Sequence, residues 1–173
     1  YSIAASTLHL LVSFVFAFKF WKDIRKEPSS DATQLAACSV LWMVVSSFGL
    51  LAIGPVGSLM GRLHPMFFIS IQWFLHFQLN GWFVYAIFSI LVLRLSQKGT
   101  PLNLSNWDWA SLHGSLFLSF SLAVSWSTPI PGLLYINALA VILQLIVYTK
   151  ILRPVWLDLL SEKNSTWIKR LLL

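Results

Sequence analysis

The sequence is poor in cysteine and in charge, and each deficit excludes a class of protein. Cys38 is the single cysteine among 173 residues, so an internal disulfide and a thiolate metal cluster are both excluded. We interpret Cys38 as a small packing residue on an apolar helix. Only 10% of the residues are charged while 57% are hydrophobic and nine are tryptophan, which does not match a soluble domain with one buried core. The composition therefore indicates an integral membrane protein.

The apolar runs also lack Asp and Glu near their centres, so they offer no carboxylate for an intramembrane proton relay or cation site. The sequence contains no HExxH zinc motif, no GxSxG nucleophile elbow and no Walker loop, and hydrolase or nucleotide-driven functions have no support. The net charge of +6 comes from basic residues beside the apolar runs, not from a continuous basic patch. The expected partner is therefore the lipid bilayer and not nucleic acid.

Five apolar runs are long enough, or nearly so, to cross a bilayer. Roughly 20 apolar residues at about 1.5 Å each span the hydrocarbon region. We predict an all-α integral membrane protein, a bundle of about five transmembrane helices. The predicted spans cover residues 1–20, 32–53, 65–93, 109–127 and 133–152.

Proline positions predict where several spans begin and end. Pro55 and the glycines around it predict the end of the second span, Pro65 the first turn of the third, and Pro154 the end of the fifth. Residues 1–154 are then the transmembrane bundle. Residues 155–173 are either an amphipathic surface segment or the truncated start of another span.

Other short signals concern helix starts and helix contacts. Ser105 or Asn106 is the expected N-cap of the fourth helix, with Asp108 in its first turn. Small residues of the second span, including Ser46 and Gly49, predict close packing against another helix.

Lysine and arginine predict the orientation, because these residues are enriched on the cytoplasmic side of membrane proteins. With the amino end of this segment outside, Arg62 alone lies outside. The inner side then holds Lys19, Lys22, Arg25, Lys26, Arg94, Lys98, Lys150, Arg153, Lys163, Lys169 and Arg170.

Polar side chains inside the third span form the main candidate site. Gln72, His76 and Asn80 recur every four residues and share one helical stripe, whereas Gln78 lies about 200° round from His76. The surrounding aromatic residues are Trp73, Phe74, Phe77, Trp82 and Phe83. We expect them to form a wall for a flat ligand. Alternatively, they take part in ordinary helix packing.

A second polar stripe lies on the first span, where His9 shares one face with three serines. Imidazole is a strong axial ligand of haem iron, and histidines on two helices can clamp a porphyrin between them. His9 and His76 differ in predicted depth by roughly 10 Å, which a helix tilt would have to absorb. The alternative is that each histidine hydrogen-bonds a serine, an asparagine or a carbonyl of a neighbouring helix.

Two segments carry a family resemblance: TLHLLVSFVFAFKFWKDI from Thr7 and WFLHFQLNGWFVYAIF from Trp73. They resemble uncharacterised bacterial membrane proteins related to subunit I of haem-copper oxidases and nitric oxide reductases. The resemblance implies a cytochrome-oxidase-subunit-I-like helical bundle in the bacterial inner (cytoplasmic) membrane. Such proteins carry upstream helices with further histidines, which implies a longer protein whose missing amino-terminal part, or other membrane subunits, would be partners.

The resemblance also implies site residues. His76 and His9 are the candidate metal ligands and would bind haem b. Gln72, Gln78 and Asn80 would complete the cofactor pocket as hydrogen-bonding residues. The copper site of true oxidases is not expected, because His64-Pro65 is followed by Met66 and the sequence has no adjacent histidine pair and no His-x-His.

Two functional hypotheses follow, and whether the protein is an enzyme stays open. In the first, the protein is an orphan relative of the oxidase core that holds haem or another flat redox molecule near His76 and transfers electrons. In the second, it is a non-enzymatic helical scaffold or sensor subunit whose polar stripe only joins helices. A small-solute transporter would require broken helices and a charge at mid-depth, and the sequence offers neither beyond Gly81.

Overall fold

The computed structural model describes residues 2–161, except the side chains of residues 2–6, 9 and 161. This part of the chain contains five helices and no strand, so the all-α prediction is confirmed. The helices are α1 (Ser2–Ile24), α2 (Asp31–Leu59), α3 (Pro65–Gln97), α4 (Asn106–Ser127) and α5 (Pro131–Ser161). Three of them, α2, α3 and α5, are long and apolar enough to cross a membrane, which indicates a membrane protein. A match to the oxidase bundle stays a prediction.

Two of the predicted helix ends are wrong. Helices α2 and α5 continue through Pro55 and Pro154, because a proline removes one backbone N–H without ending a helix that is stabilised by its neighbours. The predicted start of α3 is confirmed: Pro65 occupies its first turn, and the His64 side chain caps it. The amphipathic segment predicted for residues 155–173 lies partly outside the described residues, and its described part continues α5.

The start of α4 follows the predicted capping pattern. Ser105 is the N-cap: its hydroxyl accepts a hydrogen bond from the Asp108 N–H, and Asp108 Oδ2 accepts one from the Ser105 N–H at 2.7 Å. Lys150 of α5 donates to the same carboxylate. Burial raises the pKa of Asp108, but the hydrogen bonds from Lys150 and Ser105 outweigh burial, so that its pKa lies below the usual value.

Further polar contacts gather at this same end of the bundle. Asp31, at the start of α2, accepts a hydrogen bond from the Leu104 N–H at 2.7 Å, and Lys98 pairs with Asp158 of α5 at 2.8 Å. The start of α2, the end of α3, the start of α4 and the carboxyl-terminal half of α5 therefore meet. These are the chain segments that the basic residues predict on one side of the membrane.

Helix α3 is central, because it packs against α2, α4 and α5, while α1 packs against α2. The core lies around its middle and includes the buried side chains of Leu35, Trp42, Phe77, Tyr85, Phe88, Leu112 and Leu116. Gly49 and Gly81 permit the close approach of α2 and α3. A Cβ on Gly49 would lie 2.6 Å from the backbone of Phe74, and one on Gly81 would lie 2.8 Å from Trp42 Cβ.

The middle of α3 is not α-helical. Residues Phe77–Phe83 form a π-helix between α-helical segments Pro65–His76 and Val84–Gln97. The π-helix is rare and occurs often at functional sites. It begins directly after His76, so the central candidate residue of the sequence lies at the junction.

Candidate functional site

The polar stripe of α3 lines a crevice of about 530 Å³. Gln72, His76 and Asn80 form one wall, α4 forms the floor and α5 forms the opposite wall. The structure therefore brings together three of the five candidate residues. The remaining lining consists of Ser119, Leu122, Ala123, Ser125 and Trp126 from α4, and of Asn137, Val141 and Gln144 from α5.

Hydrogen bonds fix the orientation of the His76 ring. Its Nε2 lies 2.9 Å from the Leu116 carbonyl oxygen, and its Nδ1 lies 3.4 Å from Asn80 Nδ2. We assign the proton to Nε2, because the ring then donates to the carbonyl and accepts from the Asn80 amide. His76 thus joins the wall of the crevice to its floor.

A second contact joins the floor to the opposite wall. Gln144 Nε2 of α5 donates to Ser119 Oγ at 3.4 Å, and Ser119 Oγ lies 3.4 Å from His76 Nε2. The Ser119 hydroxyl also donates to the Leu116 carbonyl at 3.1 Å. One polar network therefore connects α3, α4 and α5 at the centre of the crevice.

The aromatic residues lie behind the polar stripe. The edge of His76 meets Phe77 at 5.1 Å between ring centroids, and Phe120 lies 5.5 Å from His76 on α4. None of the five aromatic residues that the sequence places around the stripe lines the crevice. They lie on other faces of α3, and the aromatic lining residue is Trp126 of α4.

The other two candidate residues, Gln78 and His9, are not among the residues that line the crevice. Gln78 faces α2, where its Oε1 accepts a hydrogen bond from Ser46 Oγ at 2.5 Å. His9 lies within α1, and its side chain is outside the described part of the structure. Pairing of His9 with His76 stays a prediction.

Sequence reasoning missed the lining from α5. Asn137 and Gln144 are spaced seven residues apart in an otherwise apolar helix, which places them on one face, and this spacing was the available signal. The sequence patterns described above also assign no role to His113. In the structure His113 contacts Tyr85 and Cys38.

Seven of the eleven lining residues are polar, and none is Asp, Glu, Lys or Arg. The crevice is open along Leu122, Trp126 and Val141, whose side chains are 52%, 72% and 51% exposed. In residues 2–161, within the side chains described, no group of three or more His, Cys, Asp or Glu residues could hold a metal ion. The geometry suits an uncharged molecule that accepts or donates hydrogen bonds.

Comparison with known proteins adds no family: no protein-family model, no curated protein and no solved structure matches the chain.

Proposed function

We propose that the protein is a multi-pass membrane protein that binds a flat, uncharged redox molecule of the quinone class in the crevice of α3, α4 and α5. The observation that supports this proposal is the lining itself. Four side-chain amides, one imidazole and two hydroxyls surround a space that has no charged neighbour. Polar groups at membrane depth are costly, so their concentration around one space favours a ligand that uses them.

The ligand class follows from the donors. The amide nitrogens of Gln72, Asn80, Asn137 and Gln144 can donate to ring carbonyls, and Leu122, Trp126 and Val141 offer apolar surface to a flat ring. The open side of the crevice lets an apolar tail extend into lipid. We also propose that the chain is related to the oxidase core, on the basis of the two segments quoted above. That relationship supports a redox role for such a ligand.

Haem b is the second candidate, and one hydrogen bond favours it. Metal-binding histidines usually donate their other ring N–H to a carbonyl or carboxylate, and His76 Nε2 donates to Leu116 in this way. Nδ1 would then be the ligating atom, in place of its contact with Asn80. The two carboxylates of haem b, however, would find no Lys or Arg in the lining, so the described residues fit an uncharged ring better.

The scaffold or sensor hypothesis also retains support, because the network of His76, Ser119 and Gln144 joins three helices without any ligand. We further propose the bacterial inner membrane as the location, with the amino end of the segment outside. The distribution of Lys and Arg and the resemblance support that assignment.

One experiment separates these functions. The protein is purified from its membranes in mild detergent, and its ultraviolet-visible spectrum is recorded before and after reduction with borohydride or dithionite. We expect an extractable quinone near one per chain, reduced in amount in Asn80→Leu and retained in Gln78→Met, whose side chain faces α2. A Soret band would favour haem b, and a protein without either chromophore would overturn the proposal in favour of the scaffold.

A further inference from the structure

A second polar cluster lies on the other side of α3, outside the crevice. It joins Cys38 of α2, Tyr85 of α3 and His113 of α4. Tyr85 Oη lies 3.1 Å from His113 Nδ1, and Cys38 Sγ lies 3.9 Å from His113 Nε2. None of these residues lines the proposed quinone site, so the cluster calls for a separate account.

The cluster contains a thiol (Cys38), a base (His113) and a hydroxyl that orients the base (Tyr85). With its proton on Nδ1, His113 donates to the Tyr85 oxygen, and its Nε2 lone pair faces the thiol of Cys38. The ring is held in this orientation by Trp109, which stacks on it at 5.9 Å, and by Trp42 at 5.8 Å. His113 is therefore positioned to take a proton from Cys38.

The cluster also contains a polar atom that it does not satisfy. Trp42 is 4% exposed, and its Nε1 makes no hydrogen bond of acceptable geometry within the described residues, although it lies near the Tyr85 hydroxyl. Trp42 follows Cys38 by one helical turn, so this N–H lies on the same side of α2 as the thiol. The Trp42 N–H therefore adds a buried donor beside the Tyr85 hydroxyl, the thiol and the imidazole.

The depth of the cluster limits its reaction partner. Cys38 and His113 each follow the start of their helix, Asp31 and Asn106, by seven residues, which is about 10 Å along the axis. Both helix starts belong to the end that gathers the ion pairs. With the ion pairs at the membrane surface, the half-buried thiol would lie within the apolar layer, where a reagent must carry a lipid-soluble chain.

We propose that Cys38 is a site of S-acylation by a long-chain acyl thioester, with His113 as the general base. The Cys38 sulfur attacks the thioester carbonyl while its proton passes to His113 Nε2. The new carbon–sulfur bond forms on Cys38, the carbon–sulfur bond of the donor breaks, and the donor thiolate takes the proton from His113. No redox partner is required, and Tyr85 acts as a positioning residue through Nδ1.

The test uses the full chain in membranes and an alkyne-tagged palmitoyl-coenzyme A. Wild type should be labelled, and neutral hydroxylamine should remove the label, as expected for a thioester. Cys38→Ser should not be labelled. His113→Gln should slow labelling by roughly 10²-fold, because general-base catalysis contributes about that much. Tyr85→Phe should slow it less, and His64→Gln, whose imidazole lies at the opposite end of the bundle, should not change it.

A second measurement uses the wild-type chain alone, so it does not depend on the folding of any variant. The intact mass of the purified wild-type chain is determined before and after hydroxylamine, and the peptide with Cys38 is sequenced. A hydroxylamine-labile acyl mass on Cys38 supports the proposal. Its absence from wild type, together with absent tagging in membranes, would overturn it, as would equal labelling rates in wild type and His113→Gln. These outcomes do not depend on the chromophore of the crevice, so the two proposals fail separately.

Discussion

Two polar residues of α3 only two positions apart have different surroundings. His76 lies in the wall of the crevice, while Gln78 accepts a hydrogen bond from the fully buried Ser46 of α2. The four-residue spacing of Gln72, His76 and Asn80 was sufficient to predict a shared face. The partners could not be predicted, because Leu116 and Ser119 are separated from His76 by 40 residues or more of sequence, and only tertiary packing brings them together.

The contact between Ser46 and Gln78 gives the first prediction. Ser46→Ala removes the donor and leaves the Gln78 oxygen without it, so the free energy of unfolding should fall by about 1 kcal/mol. Thermal or denaturant unfolding in detergent measures the change. The control is Ser58→Ala, because Ser58 donates only to the carbonyl of Pro55 in its own helix and is exposed. Equal stability of the two variants would contradict the role given to the Gln78 contact.

At the scale of elements, the helices themselves were predictable and the π-helix was not. Apolar run length and the Ser105 cap are local signals, and they correctly indicated an all-α chain. The π-helical turn at Phe77–Phe83 coincides with the close approach of Gly81 to Trp42, a contact between two helices. A contact between two helices produces no periodic pattern in the sequence of either helix, so the π-helix could not be predicted.

The packing of α2 on α3 gives the second prediction. Gly49→Ala would place a Cβ 2.6 Å from backbone atoms of Phe74 and Ser70, which cannot yield as a flexible side chain can, so α2 and α3 must separate. We expect a destabilisation of about 1–3 kcal/mol, as for overpacked cores. Gly54→Ala on the same helix meets nothing within 4 Å and should be neutral or slightly stabilising. If Gly49→Ala unfolds at the temperature of wild type, the tight contact is not present in the protein.

At the scale of the whole molecule, the ion pairs gather at one end. Lys150 with Asp108 and Lys98 with Asp158 tie α5 to the start of α4 and the end of α3. Counting Lys and Arg along the sequence predicted that these segments lie together, because antiparallel spans place alternate loops together. The structure brings them to one end of the bundle, and the side of the membrane on which they lie stays a prediction. The sequence did not reveal that α3 is the central helix, because its neighbours are chosen by side-chain fit over distant positions.

The lowered pKa of Asp108 gives the third prediction. A carboxyl with a depressed folded-state pKa stabilises the fold fully above its unfolded value of about 4, and this contribution is lost as pH falls through the folded-state pKa. Wild type should therefore lose more thermal stability between about pH 5 and pH 3 than Asp108→Asn, which lacks the contribution throughout. Glu27→Gln, which changes an exposed carboxyl, is the control and should follow wild type. Parallel curves for wild type and Asp108→Asn would refute the assignment.

The orientation gives the fourth prediction. In a Cys38→Ser background, Arg62→Cys places a single thiol in the loop before α3 and Gln97→Cys places one at the last residue of α3, and both positions are exposed. A membrane-impermeant maleimide added to intact cells should label position 62, and position 97 only after lysis. The reverse pattern would invert the proposed topology.

Quinone binding in the crevice is tested most directly by a fluorescence titration, since Trp126 lines the crevice and quinones quench indole emission. Purified protein is titrated with a short-tailed benzoquinone. We expect saturable quenching whose amplitude falls in Trp126→Phe, while the other eight tryptophans still emit, and whose midpoint shifts about tenfold to weaker binding in Asn80→Leu, the value expected for one hydrogen bond of about 1.4 kcal/mol. Quenching that does not saturate, or that is the same in wild type and both variants, would contradict a quinone site between α3, α4 and α5.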